Sequence, residues 1–217
     1  TGDITPPGIT LTSVSPNPSN GLTTITVTNT TADFNAQGVR ANVSTPSGGW
    51  LYPTMTYAGG NTWTGTFTVT ANGAYTVRIN ATDKAGNKAF GGPTSITGDI
   101  TPPGITLTSV SPNPSNGVTT ITVTNTTADF NVQGVRANVS TPSGGWLYPT
   151  ITYAGGNIWT GIFIVTQNGA YTVRVNATDI AGNKAYAGPT SITGDITPPG
   201  ITLTSVSPNP SNGLTTI

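Results

Sequence analysis

The sequence predicts an all-β chain of tandem sandwich domains, and three observations carry that reading. A 96-residue block recurs, apolar residues alternate with Thr along short runs, and Gly and Pro punctuate those runs. The string TGDITPPGITLTSVSPNPSNG begins at Thr1, at Thr97 and at Thr193, two steps of 96 residues. Aligning 1–96 with 97–192 leaves 11 differences, so 85 of 96 positions are identical. The predicted domains are therefore repeat one at 1–96, repeat two at 97–192, and the beginning of a third copy at 193–217. A 96-residue unit suits one sandwich domain and is too long for one turn of a solenoid.

Composition agrees with that class. The 217 residues include 45 Thr, 28 Gly and 18 Pro. Thr is β-branched and fits pleated strands, while Gly and Pro supply turns. Charged residues make up only 6%, with seven Lys and Arg against seven Asp and a net charge of zero. Neither nucleic acid nor membrane insertion is expected, because nucleic acid needs clustered cations and no run approaches 18 apolar residues. With no Cys there is neither a disulfide nor a thiolate metal site, which domains of this size tolerate.

Within one copy the runs follow period two. Ile9–Val14 reads as a first strand, ended by the turn at 16–21. Leu22–Thr31 follows, then Val39–Thr45, closed by Pro46-Ser47-Gly48-Gly49. Trp50–Tyr57 reads as one strand, stopped by Gly59-Gly60-Asn61. Thr62–Thr70 places Trp63, Phe67 and Val69 on one side and Thr on the other. Asn72-Gly73 turns the chain into Tyr75–Asp83, and 84–87 turns it into Lys88–Thr97. Seven short strands with turns every 8–12 residues mark an immunoglobulin-like sandwich.

Two motifs make the resemblance more specific. Tyr75-Thr76-Val77-Arg78-Ile79-Asn80-Ala81-Thr82-Asp83-Lys84-Ala85-Gly86-Asn87 and Asp3-Ile4-Thr5-Pro6-Pro7 resemble the strand end and linker of bacterial and archaeal immunoglobulin-like surface repeats. Both recur in the second copy, at 171–183 and 99–103. The resemblance implies an extracellular or cell-surface location and tandem sandwiches. Tyr75 stands where immunoglobulin domains carry a corner tyrosine; a half-buried aromatic at a strand start explains it equally well. The Pro-Pro linker favours extended geometry at about 3.1 Å per residue, and an axial repeat on the order of 40 Å per domain follows.

No enzyme is expected. The chain has no His, Cys or Glu, its serines lack an imidazole partner, and no phosphate loop is present. No cofactor is expected, and no metal. Asp83 and Asp99 are the candidate ligands if they converge at a junction, yet two carboxylates fall short of the six to eight oxygens that Ca²⁺ takes.

Six sequons match N-x-S/T, at Asn29, Asn42, Asn80, Asn125, Asn138 and Asn176. Their number is close to what composition alone yields; orientation says more. Alternation turns Arg40 and Asn42 outward on one strand and Arg78 and Asn80 outward on its neighbour, so attached glycans are expected there. Asn29 and Asn125 fall at a strand end. A second signal lies in the differences between copies. Thr62→Ile158, Thr66→Ile162 and Thr68→Ile164 fall on the outward side of one strand, and Lys84→Ile180 is a further polar-to-apolar change. Exposed apolar patches mark contacts, so these four Ile are expected to serve self-association.

These readings anticipate a structural subunit of an extracellular or cell-surface filament or sheath, glycosylated and associating with itself. The alternative is the stalk of a surface adhesin or of a secreted multidomain hydrolase. In the third copy, Ile201–Val206 is expected as a first strand and Leu214–Ile217 as the start of a second. Two strands alone cannot offset the ordering entropy of roughly 1–2 kcal/mol per residue. A continuing array, with Ile201 and Leu203 inside a third domain, is therefore expected in preference to strand exchange.

Overall fold

The computed structural model describes residues 2–31, 38–127, 134–206, 210 and 212–214. Every regular element among them is a strand. In the first repeat these are β1 (Ile9–Ser15), β2 (Leu22–Asn29), β3 (Arg40–Ser44), β4 (Trp50–Leu51), β5 (Thr56–Gly59), β6 (Thr62–Thr68), β7 (Gly73–Thr82) and β8 (Lys88–Gly98). The second repeat reproduces the series as β9 (Ile105–Ser111), β10 (Val118–Asn125), β11 (Arg136–Ser140), β12 (Trp146–Leu147), β13 (Ile151–Gly155), β14 (Ile158–Ile164), β15 (Gly169–Thr178) and β16 (Lys184–Gly194).

Each repeat folds into two antiparallel four-stranded sheets, ordered β1-β2-β6-β5 and β4-β3-β7-β8 in the first and likewise in the second. The period-two pattern explains the pairing of faces. Along β2, Thr23, Ile25, Val27 and Asn29 are buried while the intervening Thr side chains stay partly exposed. Along β7, Tyr75, Val77, Ile79 and Ala81 are buried. Ile25, Val27, Val43, Trp63, Phe67 and Val77 meet in one apolar cluster between the sheets. Burial of each such side chain stabilises the sandwich by roughly 1.5–3 kcal/mol.

Three expectations change. The run Trp50–Tyr57 is two strands: β4 belongs to the β3 sheet and β5 to the β6 sheet. The chain crosses between sheets at Tyr52–Met55, so each repeat has eight strands. Leu51, Pro53 and Met55 keep facing inward through the crossing, which leaves the alternation unbroken. Second, Ile201–Val206 forms no strand, and Ile201 and Leu203 are 93% and 65% exposed. In the two full copies this strand pairs with its β2 equivalent and packs on the β8 equivalent. Neither partner strand is present among the described residues of 201–214. The expected strand start at Leu214 is also solvent-exposed coil, and Thr215–Ile217 lie outside the described residues. Third, Asp83 and Asp99 do not converge. Asp99 follows the Gly73–Gly98 pair at one end of β7, whereas Asp83 follows Thr82 at the other.

Tyr75 proves to be the corner tyrosine. It is 1% exposed, and its hydroxyl accepts from the amides of Thr70 and Ala71, both at 3.1 Å. Tyr171 repeats this with Thr166 and Gln167.

Candidate functional site: the junction between repeats and two outward faces

The junction is built from the two motifs that recur in the sequence. Asp-x-Thr closes a small turn in each of three linkers: the Thr5, Thr101 and Thr197 amides donate to the Asp3, Asp99 and Asp195 carboxylates at 2.9, 3.1 and 3.1 Å. In the middle linker the donors can be followed one by one. Asp99 N–H donates to Ser19 O at 2.8 Å, and Ile100 N–H to Asn72 Oδ1 at 2.7 Å. Pro102 and Pro103 carry no donor, and Gly104 N–H reaches Thr127 Oγ1 at 3.1 Å. The Asn72 amide also donates to the Thr101 hydroxyl. A linker whose backbone donors are satisfied by its neighbours is not a free coil.

The second motif grips the linker from the following domain. Asn183 Nδ2 donates to Asp99 O and to the Asp179 carboxylate, each at 2.9 Å. In the first copy Asn87 does the same, reaching Asp3 O at 3.0 Å and Asp83 Oδ2 at 2.9 Å. Asp83 is buried; burial raises its carboxyl pKa, but hydrogen bonds from the Asn87 side chain and the Asn87, Gly86 and Ala85 amides outweigh that and hold it below the ordinary carboxylate value. Both carboxylate oxygens are thus occupied by Asn87. Among the described residues no cluster of three His, Cys, Asp or Glu side chains could hold a metal ion.

Ile180 belongs to this junction and not to the Ile face of β14. It lines a cleft of about 420 Å³ with Pro18, Asn72 and Gly73 of the preceding repeat. Sequence reasoning treated Asn72 only as a turn residue and missed its hold on the linker. One signal was available: Ala71 changes to Gln167 while its neighbour stays Asn at 168.

The first outward face lies on the β1-β2-β6-β5 sheet. In repeat one it presents Thr24, Thr26 and Thr28 beside Thr66, Thr64 and Thr62. In repeat two Ile162 and Ile164 are 60% and 58% exposed, and Val118 pairs with Ile164. Ile158 is also exposed. The β13 register reaches only from Ile158 to Gly161, so among the described residues the β14 edge at 162–164 has no partner strand on that side.

The second face lies on the β4-β3-β7-β8 sheet. Register puts Asn42 opposite Arg78 and Arg40 opposite Asn80, all with their side chains outward. Asn138 and Asn176 occupy the same places opposite Arg174 and Arg136. Asn29 and Asn125 differ. Both are buried, and the Asn29 amide nitrogen donates to Thr31 O at 2.9 Å. At Asn125 the side-chain oxygen accepts from the Thr127 amide at 3.1 Å.

Comparison with known proteins agrees with this topology. A marsupial T cell receptor superposes with a TM-score of 0.63 at 12% identity, covering 92% of this chain and 76% of that one. The chain has an immunoglobulin-like fold. Fibronectin(III)-like modules of Clostridium thermocellum CbhA align at 17% identity and TM-score 0.46, covering 86% of this chain and 92% of theirs. Latent PorU from Porphyromonas gingivalis aligns at 15% identity and TM-score 0.34, covering 88% of this chain and 20% of that protein. No family model and no curated protein sequence matches.

Proposed function

We propose that this chain is a structural segment of an extracellular or cell-surface protein, a stiff tandem array of immunoglobulin-like domains that associates with itself into a filament or sheath. The junction carries the reading. Backbone donors of the Asp99–Gly104 linker bond to the preceding repeat, to the linker itself or to the following repeat, and the Asp99 carbonyl receives Asn183. A chain that fixes each domain against the next transmits load and holds spacing, which a flexible tether does not.

The β14 face favours a filament over a stalk that merely spaces a terminal domain. Three Ile side chains kept in water serve no purpose in a lone rod, whereas burying them between neighbouring chains is worth roughly 3 kcal/mol if each loses about 40 Å² at 25 cal/mol per Å². Glycans at Asn42, Asn80, Asn138 and Asn176 would decorate the opposite sheet and leave the Ile face bare. Electron microscopy and sedimentation of the chain carrying Ile158→Thr, Ile162→Thr and Ile164→Thr test the reading. The expected result is association by the wild-type chain and a monomer for the variant. Monomers for both at high concentration would return the chain to the stalk reading.

A further inference from the structure

Six of the seven cations of this neutral chain stand on two equivalent surfaces. Arg40, Arg78 and Lys88 project outward from β3, β7 and β8 of the first repeat, and Arg136, Arg174 and Lys184 do so in the second. The rows that carry them contain no carboxylate. Each Arg faces an Asn across the register and not another cation, so the grouping avoids direct like-charge pairs while concentrating positive charge on one face.

The neighbours of these cations point to a ligand. Asn80 lies between Arg40 on one side and Phe90 on the other. Asn42 lies opposite Arg78, and Tyr52, one residue past the Val43–Leu51 pair, flanks it on the far side. Tyr52 and Phe90 are 72% and 76% exposed, aromatic rings left in water. Arg40, Asn42, Tyr52, Asn80, Lys88 and Phe90 line a groove of about 920 Å³, and Arg78 pairs with Asn42 across the sheet. Repeat two preserves both triplets, as Arg136–Asn176–Tyr186 and Tyr148–Asn138–Arg174, and its one change on these rows, Phe90→Tyr186, keeps the ring.

Each element fits one part of a charged sugar. A ring covers the apolar C–H face of a pyranose, an Asn amide donates to and accepts from hydroxyls, and a guanidinium fork grips a carboxylate bidentately. Nucleic acid fits less well, since three cations per repeat on a neutral protein neutralise few phosphates. We infer that the outward β3–β7–β8 face of each repeat, with its β11–β15–β16 counterpart, holds an acidic saccharide whose carboxylates meet the Arg pairs and whose rings stack on Tyr52 and Phe90 or Tyr148 and Tyr186. The saccharide is either a free polyuronate or a glycan attached at Asn42 and Asn80 and their counterparts; the chemistry is shared. The inference is independent of whether the Ile face builds a filament.

The test has two arms. In the first, the full chain made in a host without N-glycosylation is passed over immobilised polygalacturonate, dextran and polyglutamate. Binding to polygalacturonate alone is expected, weakening with salt. About tenfold or greater loss is expected both in a Tyr52→Ala, Phe90→Ala, Tyr148→Ala, Tyr186→Ala variant and when Arg40, Arg78, Arg136 and Arg174 become Lys, which keeps charge but loses the fork. That result assigns the face to a free polymer. In the second arm, peptides of the native protein are analysed by mass spectrometry; uronic acids in glycans at Asn42 or Asn80, with no binding by the bare chain, assign the face to the protein's own glycan. Binding to polyglutamate as strong as to polygalacturonate and unmoved by the aromatic variant would reduce the face to a charge patch and overturn the inference. So would an absence of polygalacturonate binding together with neutral glycans, or none, on the native peptides.

Discussion

The two repeats differ at 11 positions, and the differences behave in opposite ways inside and outside the sandwich. Inside, changes compensate. A Cβ on Gly91 would sit 2.9 Å from Ile79 Cγ1 and 3.0 Å from its Cδ1. Repeat two carries Ala187 at that place and Val175 in place of Ile79, so one side chain gained a methyl where its neighbour lost one. Gly65 stays Gly as Met55 becomes Ile151, because a Cβ at Gly65 or Gly161 would collide with either side chain and with a backbone carbonyl. Outside, four changes run from polar to apolar. Thr62, Thr66, Thr68 and Lys84 all became Ile, three on one strand face and the fourth at the junction. Among the described residues the interior changes offset one another, while one strand face turned from Thr to Ile.

The largest expected effect tests whether the frames are equivalent. Tyr75→Phe and Tyr171→Phe each remove the acceptor of two part-buried amides, and each should cost its own repeat about 2 kcal/mol or more in urea unfolding. Unequal costs would break the premise that the corner does the same work in both. Next, Gly91→Ala in repeat one should cost about 1–3 kcal/mol by overpacking against Ile79, and adding Ile79→Val should recover most of it. Additive losses in that double-mutant cycle would show that the natural pair is drift and not compensation. The smallest effect is electrostatic. Asp83 has a folded pKa below its unfolded value, so its contribution is fully present above about pH 4 and is lost as pH falls through the folded value. Thermal melting of the first repeat should fall below about pH 4, and Asp83→Asn should flatten that fall; an unchanged acid profile would show that the turn does not depend on the charge.

Strand positions were legible because buried faces impose period two, and β1, β2, β3, β6, β7 and β8 lie where alternation places them. The β4–β5 crossing was not, because a strand that changes sheets at the sandwich edge keeps the same residues inward. The outward placement of Asn42, Asn80, Ile162 and Ile164 followed from the same alternation. The junction was hidden for another reason. Asn183 meets Asp99 across 84 residues and Asn72 meets Ile100 across 28, and no local pattern marks such pairs. Stiffness was expected from Pro-Pro, and the structure adds linker amides held by Ser19, Asn72 and Thr127. The three linkers also separate the two grips. Asp195 and Ile196 are held by the preceding repeat although no folded repeat follows them among the described residues, and Asp3 O receives Asn87 from the repeat that follows it.

That separation sets up the decisive measurement. The chain has no Cys, so spin labels at Thr10→Cys and Thr106→Cys, equivalent exposed positions on β1 and β9, mark the two repeats uniquely. Pulsed electron paramagnetic resonance then reads the distribution of distances between them. A stiff array gives one narrow distance peak that broadens severalfold when Asn72→Ala and Asn183→Ala release the linker from both sides. A broad distribution in the otherwise unchanged chain, no wider in the double variant, would contradict the account.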